Sequence, residues 1–237
     1  MRTAVILLLI SIAVFITSCM VKKQTTTEVA TFTDLTGIHI AEPSIKDIMH
    51  LYDFDAHKWN GGVFRSSTIT NVSFNQTDQV NIQAENEWSS SFPLQRAEKI
   101  NQFQKSIEDI ITKNKQIPVG KNNSSIYFPI AEELNRLSQS TSERKYLLIY
   151  SDLMENNPVF SFYKKEKLNE ISATPDSIKN VLESQLKIKT LGGITIYLIY
   201  QPANTTEDEQ YKIVSKFYKE LFENKGARVI ITANITI

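Results

Sequence analysis

Cysteine and histidine are nearly absent from this 237-residue chain, which has one cysteine, Cys19, and three histidines. A single cysteine cannot form an intrachain disulfide or a cysteine-based metal cluster. The histidines, His39, His50 and His57, lie near one predicted helix, where ordinary helix or loop positions are the simplest interpretation. Disulfide frameworks are therefore excluded, and a histidine-based catalytic or zinc site is not expected.

Several catalytic motifs are also missing. The chain contains no Gly-x-Ser-x-Gly nucleophile turn, no Gly-x-x-x-x-Gly-Lys phosphate loop and no His-Glu-x-x-His zinc helix. Charge of neither sign dominates, because lysine plus arginine and aspartate plus glutamate each total 26. No basic stripe with interleaved aromatic residues occurs, so we do not expect a nucleic-acid partner.

The N-terminal segment has the order of features that is typical of a secretory signal peptide. Arg2 provides a positive charge, residues 4–16 are apolar except for Ser11, and small residues follow at Thr17 and Ser18. The apolar stretch is about 13 residues long, whereas a helix that crosses the bilayer needs roughly 20. A cleaved signal peptide is therefore favoured over a permanent transmembrane helix.

The segment Ile16-Thr17-Ser18-Cys19 resembles a lipobox, the sequence at which bacterial lipoproteins are diacylated on cysteine, with fatty acids such as palmitate, and then cleaved. The resemblance implies a signal peptide over residues 1–18, lipidation of Cys19 and attachment to a membrane of a bacterial cell envelope, either periplasmic or surface-exposed. The alternative is an incidental cysteine in a discarded leader. Residues 19–27 are polar and are predicted to form a tether, and residues 28–237 are predicted to form one domain.

The remaining chain alternates between short apolar segments and amphipathic helical patterns. Strands are predicted at 29–32, 63–69, 71–74, 80–84, 146–150, 194–200 and 228–235. Helices are predicted to begin after Ser44 and at Pro175, and to cover residues 97–115, about 130–138 and 207–224. Residues 158–167 have no clear pattern. This alternation predicts an α/β fold with a mostly parallel, doubly wound, Rossmann-like sheet, helices on both faces and an antiparallel edge hairpin from the region 63–84.

Three polar loops are candidates for a binding site: Asp34-Leu35-Thr36, Asn123-Ser124-Ser125 and Ser151-Asp152. Each of them follows a predicted strand or precedes a predicted helix. In open α/β sheets, ligands bind at the carboxyl ends of the strands, near the point where the strand order reverses. Carboxylate and hydroxyl oxygens are hard ligands that suit Mg²⁺ or another divalent cation.

In these loops the chain resembles the von Willebrand factor type A family, over about residues 28–237. That family has a metal-ion-dependent adhesion site with an Asp-x-Ser-x-Ser motif, a threonine from a second loop and an aspartate after a later strand. The resemblance implies that Asp34, Thr36, Ser124 and Asp152 are the metal ligands. Two positions depart from the family pattern. Ile38 replaces the third ligand of the first motif, so water or Ser125 would have to supply the missing oxygen. Leu153 replaces a glycine.

The same residues also have simpler interpretations. Asp34 and Thr36 could form a turn or helix-capping pair, and Asp152 could accept backbone amides at a helix start. Our preferred hypothesis is a non-catalytic module that binds an acidic side chain of a protein partner through the cation. The alternatives are a metal-assisted hydrolase or phosphotransfer enzyme that uses Asp34, and a metal-free envelope scaffold whose site has decayed.

Overall fold

The computed structural model describes residues 24–36, 40–69, 77–86, 92–117, 125–157 and 161–235. Within these residues the chain forms six strands and six helices. The strands are β1 (Thr26–Asp34), β2 (Gly61–Ile69), β3 (Thr77–Ile82), β4 (Arg144–Tyr150), β5 (Ile194–Ile199) and β6 (Arg228–Thr232). The helices are α1 (Ile45–Tyr52), α2 (Pro93–Asn114), α3 (Tyr127–Gln139), α4 (Lys165–Ala173), α5 (Pro175–Gln185) and α6 (Thr205–Glu223).

All six strands belong to one sheet with the order β3-β2-β1-β4-β5-β6. The β2–β3 pair is antiparallel, and the other four neighbouring pairs are parallel. The chain therefore builds outward from β1 to β2 and β3, and then returns to the other side of β1 with β4. The predicted α/β fold with a mostly parallel sheet and an antiparallel edge is confirmed, and the strand order reverses between β1 and β4.

Both faces of the sheet are covered by apolar packing. In β4, Leu147 and Ile149 join one buried cluster, whereas Leu148 and Tyr150 join a second cluster. Because successive strand residues point to opposite faces, the two clusters lie on opposite sides of the sheet. Helices α3 to α6 contribute to the first cluster, and α1 and α2 contribute to the second. The near-continuous apolar sequence of β4 follows from this burial on both faces.

Local signals fix several helix ends. The Ser44 hydroxyl accepts a hydrogen bond from the Asp47 amide at 3.3 Å and caps α1. Pro175 occupies the first position of α5, where its missing amide hydrogen costs nothing. Gly226 follows α6 with a φ of 97°, a left-handed conformation that glycine adopts without a Cβ clash. The predicted helix starts at Ser44 and Pro175 are confirmed.

Other boundaries differ from the sequence predictions. β1 begins at Thr26, so Thr26 and Thr27 pair with β2 although they fall in the predicted tether. Helix α4 begins inside the region that had no clear pattern, and Phe162, just before it, is fully buried. The predicted strand at 71–74 lies outside the described residues. A helical periodicity is hard to recognise in α4 because only Leu168 and Ile171 of its nine residues are buried.

One buried arginine ties the β3 edge of the sheet to α2. Arg96 is 1% exposed and donates to the carbonyl oxygens of Lys58 at 2.7 Å and Gln83 at 2.9 Å, and also to that of Asn60. Its guanidinium forms an ion pair with Glu85 at 3.3 Å. A guanidinium has five N–H donors, so the single side chain of Arg96 can bond to several loop carbonyl groups at once. We did not expect this role from the sequence, since its partners are 11 to 38 residues away.

Candidate functional site

Asp34 and Asp152 emerge from neighbouring strands at the same edge of the sheet. β1 and β4 are parallel and paired through Thr33 and Tyr150, so Asp34 and the Ser151-Asp152 pair follow directly at their carboxyl ends. This is the position at which the strand order reverses, because β2 lies on one side of β1 and β4 on the other. The crevice outside such a reversal is the usual ligand-binding place of an open α/β sheet.

Asp34 is almost completely buried and is surrounded by hydroxyl groups. Its side chain is 2% exposed. Oδ1 accepts hydrogen bonds from the Thr36 amide at 2.9 Å and the Thr36 hydroxyl at 2.6 Å, and Oδ2 accepts one from the Ser151 hydroxyl at 2.9 Å. The turn interpretation of Asp34 and Thr36 is therefore observed. It does not exclude a ligand role, because a hydroxyl that donates its proton keeps two lone pairs for another partner.

The segment after β4 is wound tightly around its own polar groups. The Ser151 hydroxyl accepts a hydrogen bond from the Leu153 amide at 2.9 Å, and Asp152 Oδ1 accepts one from the Met154 amide at 2.9 Å. Asp152 Oδ2 accepts a hydrogen bond from the Tyr163 hydroxyl at 3.2 Å. Ser151 thus bridges the two strand ends, since its oxygen is bonded to Asp34 and to the loop that carries Asp152.

Leu153 adopts the left-handed backbone conformation that glycine adopts most readily. Its φ is 62°, which costs a residue with a Cβ about 1–2 kcal/mol. The side chain is fully buried in the apolar cluster of α3 to α6, and burying a leucine contributes about 1.5–3 kcal/mol. Burial therefore offsets the backbone cost, and the turn that presents Asp152 forms without glycine.

Asp152 ionises less readily than an ordinary aspartate. Burial, followed by the nearby Asp34 carboxylate, raises the pKa of Asp152 from its ordinary 3.8 to about 6. The amide of Met154 and the hydroxyl of Tyr163 act in the opposite direction and only partly compensate. A site that raises the pKa of a carboxyl group is one that would be stabilised by added positive charge.

Glu155 is a third buried carboxylate, and it has a different role. It is fully buried, and its Oε2 accepts hydrogen bonds from the Ile126 amide at 2.9 Å and the Tyr127 amide at 2.8 Å at the start of α3. Burial raises its pKa, whereas bonds from Tyr127, Asn157, Ile126 and the Ser125 hydroxyl lower it. The carboxylate satisfies helix amides that have no intrahelical partner. Sequence reasoning missed this role, because its amide partners lie 28 and 29 residues away.

The remaining predicted residues fall into two groups. Ser124, Cys19, Ile38 and His39 lie outside the described residues. Ser125 is described and buried, but its hydroxyl bonds to Glu155 and not to Asp34 or Asp152 among the described contacts. The hydroxyl that the structure adds to the Asp34 region is that of Ser151, which the sequence places in a candidate loop without a ligand role.

The donor set suits a small, hard cation. Asp34, Thr36, Ser151 and Asp152 offer carboxylate and hydroxyl oxygens at the ends of two adjacent strands, and Mg²⁺ usually takes one or two carboxylates and retains waters. No group of three or more His, Cys, Asp or Glu side chains with metal-binding geometry occurs in the described part of the chain. A cation here would therefore depend on the hydroxyls and on water in addition to the two aspartates.

Comparison with known proteins finds only distant similarity to solved structures. No protein-family model and no curated protein matches the chain. A mutant of the PilB minor pilin from Streptococcus sanguinis matches with 12% sequence identity and a TM-score of 0.44. The match covers 91% of this chain but only 59% of the pilin. The functional interpretation therefore depends on the geometry around Asp34 and Asp152.

A helix that crosses a bilayer needs roughly 20 predominantly apolar residues. No helix within the described ranges is both long enough and apolar enough to span a bilayer.

Proposed function

We propose that this chain is a non-catalytic binding module of the von Willebrand factor type A kind, in which Asp34 and Asp152 hold a divalent cation that engages a protein partner. The observation that carries the proposal is that Asp34 and Asp152 lie at the ends of neighbouring parallel strands, at the β1–β4 reversal, where the hydroxyl of Ser151 donates to Asp34 at 2.9 Å. The six-stranded sheet order and the alternation of strands and helices support the family assignment.

Each residue has a distinct part in the proposed site. Asp34 and Asp152 supply negative charge. Thr36 and Ser151 supply neutral oxygens, so the site carries two negative charges and not four. A cation held by these residues would supply the positive charge that attracts an acidic side chain of the partner. The protein residues hold the donors in place through the Thr36, Leu153 and Met154 amides, so binding requires little reorganisation.

Magnesium titration of the purified protein tests the proposal. Ligand binding raises the free energy of unfolding by RT ln(1 + [L]/Kd), so a tenfold excess over Kd gives about 1.4 kcal/mol and a melting temperature higher by several degrees. We expect this increase for the wild type and its loss in Asp34→Asn and in Asp152→Asn. Asp176→Asn, which changes an exposed aspartate in the first turn of α5, is the matched control.

The titration also separates the competing interpretations. An equal response to Mg²⁺ in the wild type and in both site variants would reject the cation proposal and favour a metal-free scaffold. The hydrolase alternative has one supporting observation, since a carboxyl pKa near 6 is in the range of a general acid or base. Reproducible hydrolysis of phosphate esters with Mg²⁺ or Mn²⁺, lost in Asp34→Ala, would favour the enzyme over the binding module.

We further propose that lipid on Cys19 attaches the module to a bacterial envelope membrane. The support is the lipobox-like sequence and the presence of a single cysteine in the chain. Metabolic labelling with a palmitate analogue in a bacterial host tests this directly. Label on the wild type and none on Cys19→Ala is the expected result, and equal labelling of both proteins would contradict the proposal.

A further inference from the structure

A small cleft opens beside Asp152, on the side where Tyr163 and the start of α6 lie. Its volume is about 110 Å³, and its walls include Asp152, Tyr163, Tyr200, Glu207 and Tyr211. Pockets for drug-sized ligands are usually about 300–1,000 Å³, so this cleft has room for a single head group. Two of the five named walls are carboxylates and three are phenols.

The cleft walls carry negative charge and no lysine or arginine among the described lining residues. Glu207 is held in place because its Oε2 accepts hydrogen bonds from the Tyr200 hydroxyl at 3.0 Å and the Ala203 amide at 2.8 Å. Asp152 is held by Tyr163 and by the Met154 amide. Fixed carboxylates beside low-dielectric walls concentrate negative potential and attract a cation.

Tyr211 provides an independent sign that a ligand belongs here. Its side chain is 6% exposed, and its hydroxyl has no hydrogen-bond partner among the described residues. Its ring lies 5.0 Å from that of Tyr200, and Asp152 contributes to raising its pKa, which places the phenol in the electrostatic field of that carboxylate. Leaving a buried polar group without a partner is costly, so a group that supplies one is favoured.

The phenols determine what kind of cation fits. The phenols of Tyr163, Tyr200 and Tyr211 are protonated at neutral pH, because the ordinary pKa of tyrosine is about 10. A neutral phenol is a weak ligand for a hard metal ion, but it accepts an N–H hydrogen bond, and its ring face attracts an organic cation. An ammonium group carries three N–H donors in a compact volume, which matches a small cleft with carboxylate and phenol oxygens.

We infer that this cleft binds a protonated primary amine, which donates hydrogen bonds to Asp152 and to the Tyr211 oxygen and lies against the tyrosine rings. The chemistry is shared by a lysine side chain of a partner and by a free small amine. This inference does not require the divalent cation. It assigns a binding role to Tyr163, which precedes α4, and to Glu207 and Tyr211 of α6, which the proposed cation site does not use.

The test is an NMR titration of the purified protein in the presence of chelator, which removes any contribution of a divalent cation. The probes are n-butylammonium, the neutral isostere 1-butanol, N-methylguanidinium and Nα-acetyl-lysine methylamide, whose side-chain ammonium is free. We expect the tyrosine ring signals to shift and to reach saturation with butylammonium. The affinity for 1-butanol and for N-methylguanidinium should be at least fivefold weaker. Saturation by the lysine derivative supports a partner side chain, and saturation by butylammonium alone supports a free amine.

Two tyrosine variants on the same helix provide a matched comparison. Tyr211→Phe removes the buried, unpartnered hydroxyl of a residue that lines the cleft, and we expect the butylammonium affinity to fall about fivefold. Tyr218→Phe removes another buried hydroxyl of α6 that has no described partner and does not line the cleft, so the affinity should not change. Equal saturation by butanol and butylammonium, tighter binding of guanidinium, or equal affinities in the two variants would each overturn the inference.

Failure of this inference is distinguishable from failure of the proposed function. The amine titration is carried out without Mg²⁺, whereas the magnesium titration measures a stability increase that does not depend on Tyr211. Melting temperatures of Tyr211→Phe and Tyr218→Phe confirm that both variants remain folded. A wild type that responds to Mg²⁺ but not to butylammonium would retain the cation site and reject the amine cleft.

Discussion

At the amino end of β1, Glu28 lies beside a guanidinium, whereas at the carboxyl end Asp34 lies beside hydroxyl groups. Arg136 bridges two buried glutamates there, with Nη2 at 2.7 Å from Glu28 and 2.5 Å from Glu133. Ser151 is the corresponding bridge at the other end, and it adds no charge. The amino end is therefore neutralised by the chain itself, while at the carboxyl end burial, followed by the Asp34 carboxylate, raises the pKa of Asp152 to about 6.

The difference distinguishes carboxylates that an arginine of the chain neutralises from carboxylates whose described donors are uncharged. A buried carboxylate pair with an arginine between the two groups is satisfied by the fold, and the two glutamates need nothing further. The described donors to Asp34 and Asp152 are neutral hydroxyls and amides, so an added cation would still favour the ionised form of both carboxylates. The following predictions change one end at a time.

Arg136→Met should have the largest effect, because it removes the cation that pairs with Glu28, which is 4% exposed, whereas Glu133 keeps its ion pair with Arg65 at 3.0 Å. We expect a loss of about 3 kcal/mol in the free energy of unfolding, measured with urea. Lys212→Met, which breaks an exposed ion pair with Asp208, is the control and should cost less than about 0.5 kcal/mol. Equal losses in both variants would show that Arg136 does not neutralise the amino end.

Glu155→Ala should have the next largest effect, a loss of about 2 kcal/mol. The substitution leaves the buried Ile126 and Tyr127 amides without an acceptor, and each unsatisfied buried group costs about 1–3 kcal/mol. Glu166→Ala, an exposed glutamate in the first turn of α4, serves as the control for urea unfolding. Unchanged stability of Glu155→Ala would mean that the start of α3 does not depend on this carboxylate.

Asp152→Asn should stabilise the protein by about 1–2 kcal/mol at pH 7 in chelator. The folded-state pKa, about 6, is higher than the ordinary 3.8, so ionisation lowers stability above pH 6. This loss declines as the pH falls through 6 and is absent below about pH 4, where the difference between variant and wild type should vanish. Urea unfolding at several pH values measures it, and a variant that is destabilised at pH 7 would contradict the electrostatic account.

Ser151→Ala should have the smallest effect, a loss of about 1 kcal/mol, because it removes one hydrogen bond to Asp34 and one from the Leu153 amide. Ser184→Ala, whose hydroxyl bonds only its own helix on an exposed surface, is the control. The magnesium-dependent increase in melting temperature should also decrease in Ser151→Ala. An undiminished increase would show that Ser151 does not contribute to the cation site.

Much of the fold was predictable because its signals are local. The Ser44 cap, Pro175 at the start of α5 and the apolar sequence of β4 each act within a few residues, and each was placed correctly. The order of strands and helices then indicated a parallel sheet, since parallel strands need a crossover connection. The confirmed features therefore depend on sequence neighbours.

The details of the site were less predictable because they depend on distant partners. Asp34 and Asp152 were found because both follow apolar strands, but the bridging role of Ser151 needs the β1–β4 pairing, which no local pattern encodes. Glu155 and Arg96 escaped for the same reason, since each bonds to backbone groups in other elements. The left-handed Leu153 was seen as a departure from the family, and only its burial explains how the turn forms.

Paramagnetic Mn²⁺ gives the most direct test that one cation is shared by Asp34 and Asp152. Added below the protein concentration, it should broaden the amide signals of residues 34–36 and 151–153 together, and excess Mg²⁺ should restore them. The broadening at both strand ends should disappear in Asp34→Asn. Broadening at only one strand end, or broadening that persists unchanged in Asp34→Asn, would contradict the proposal that the two aspartates form a single cation site.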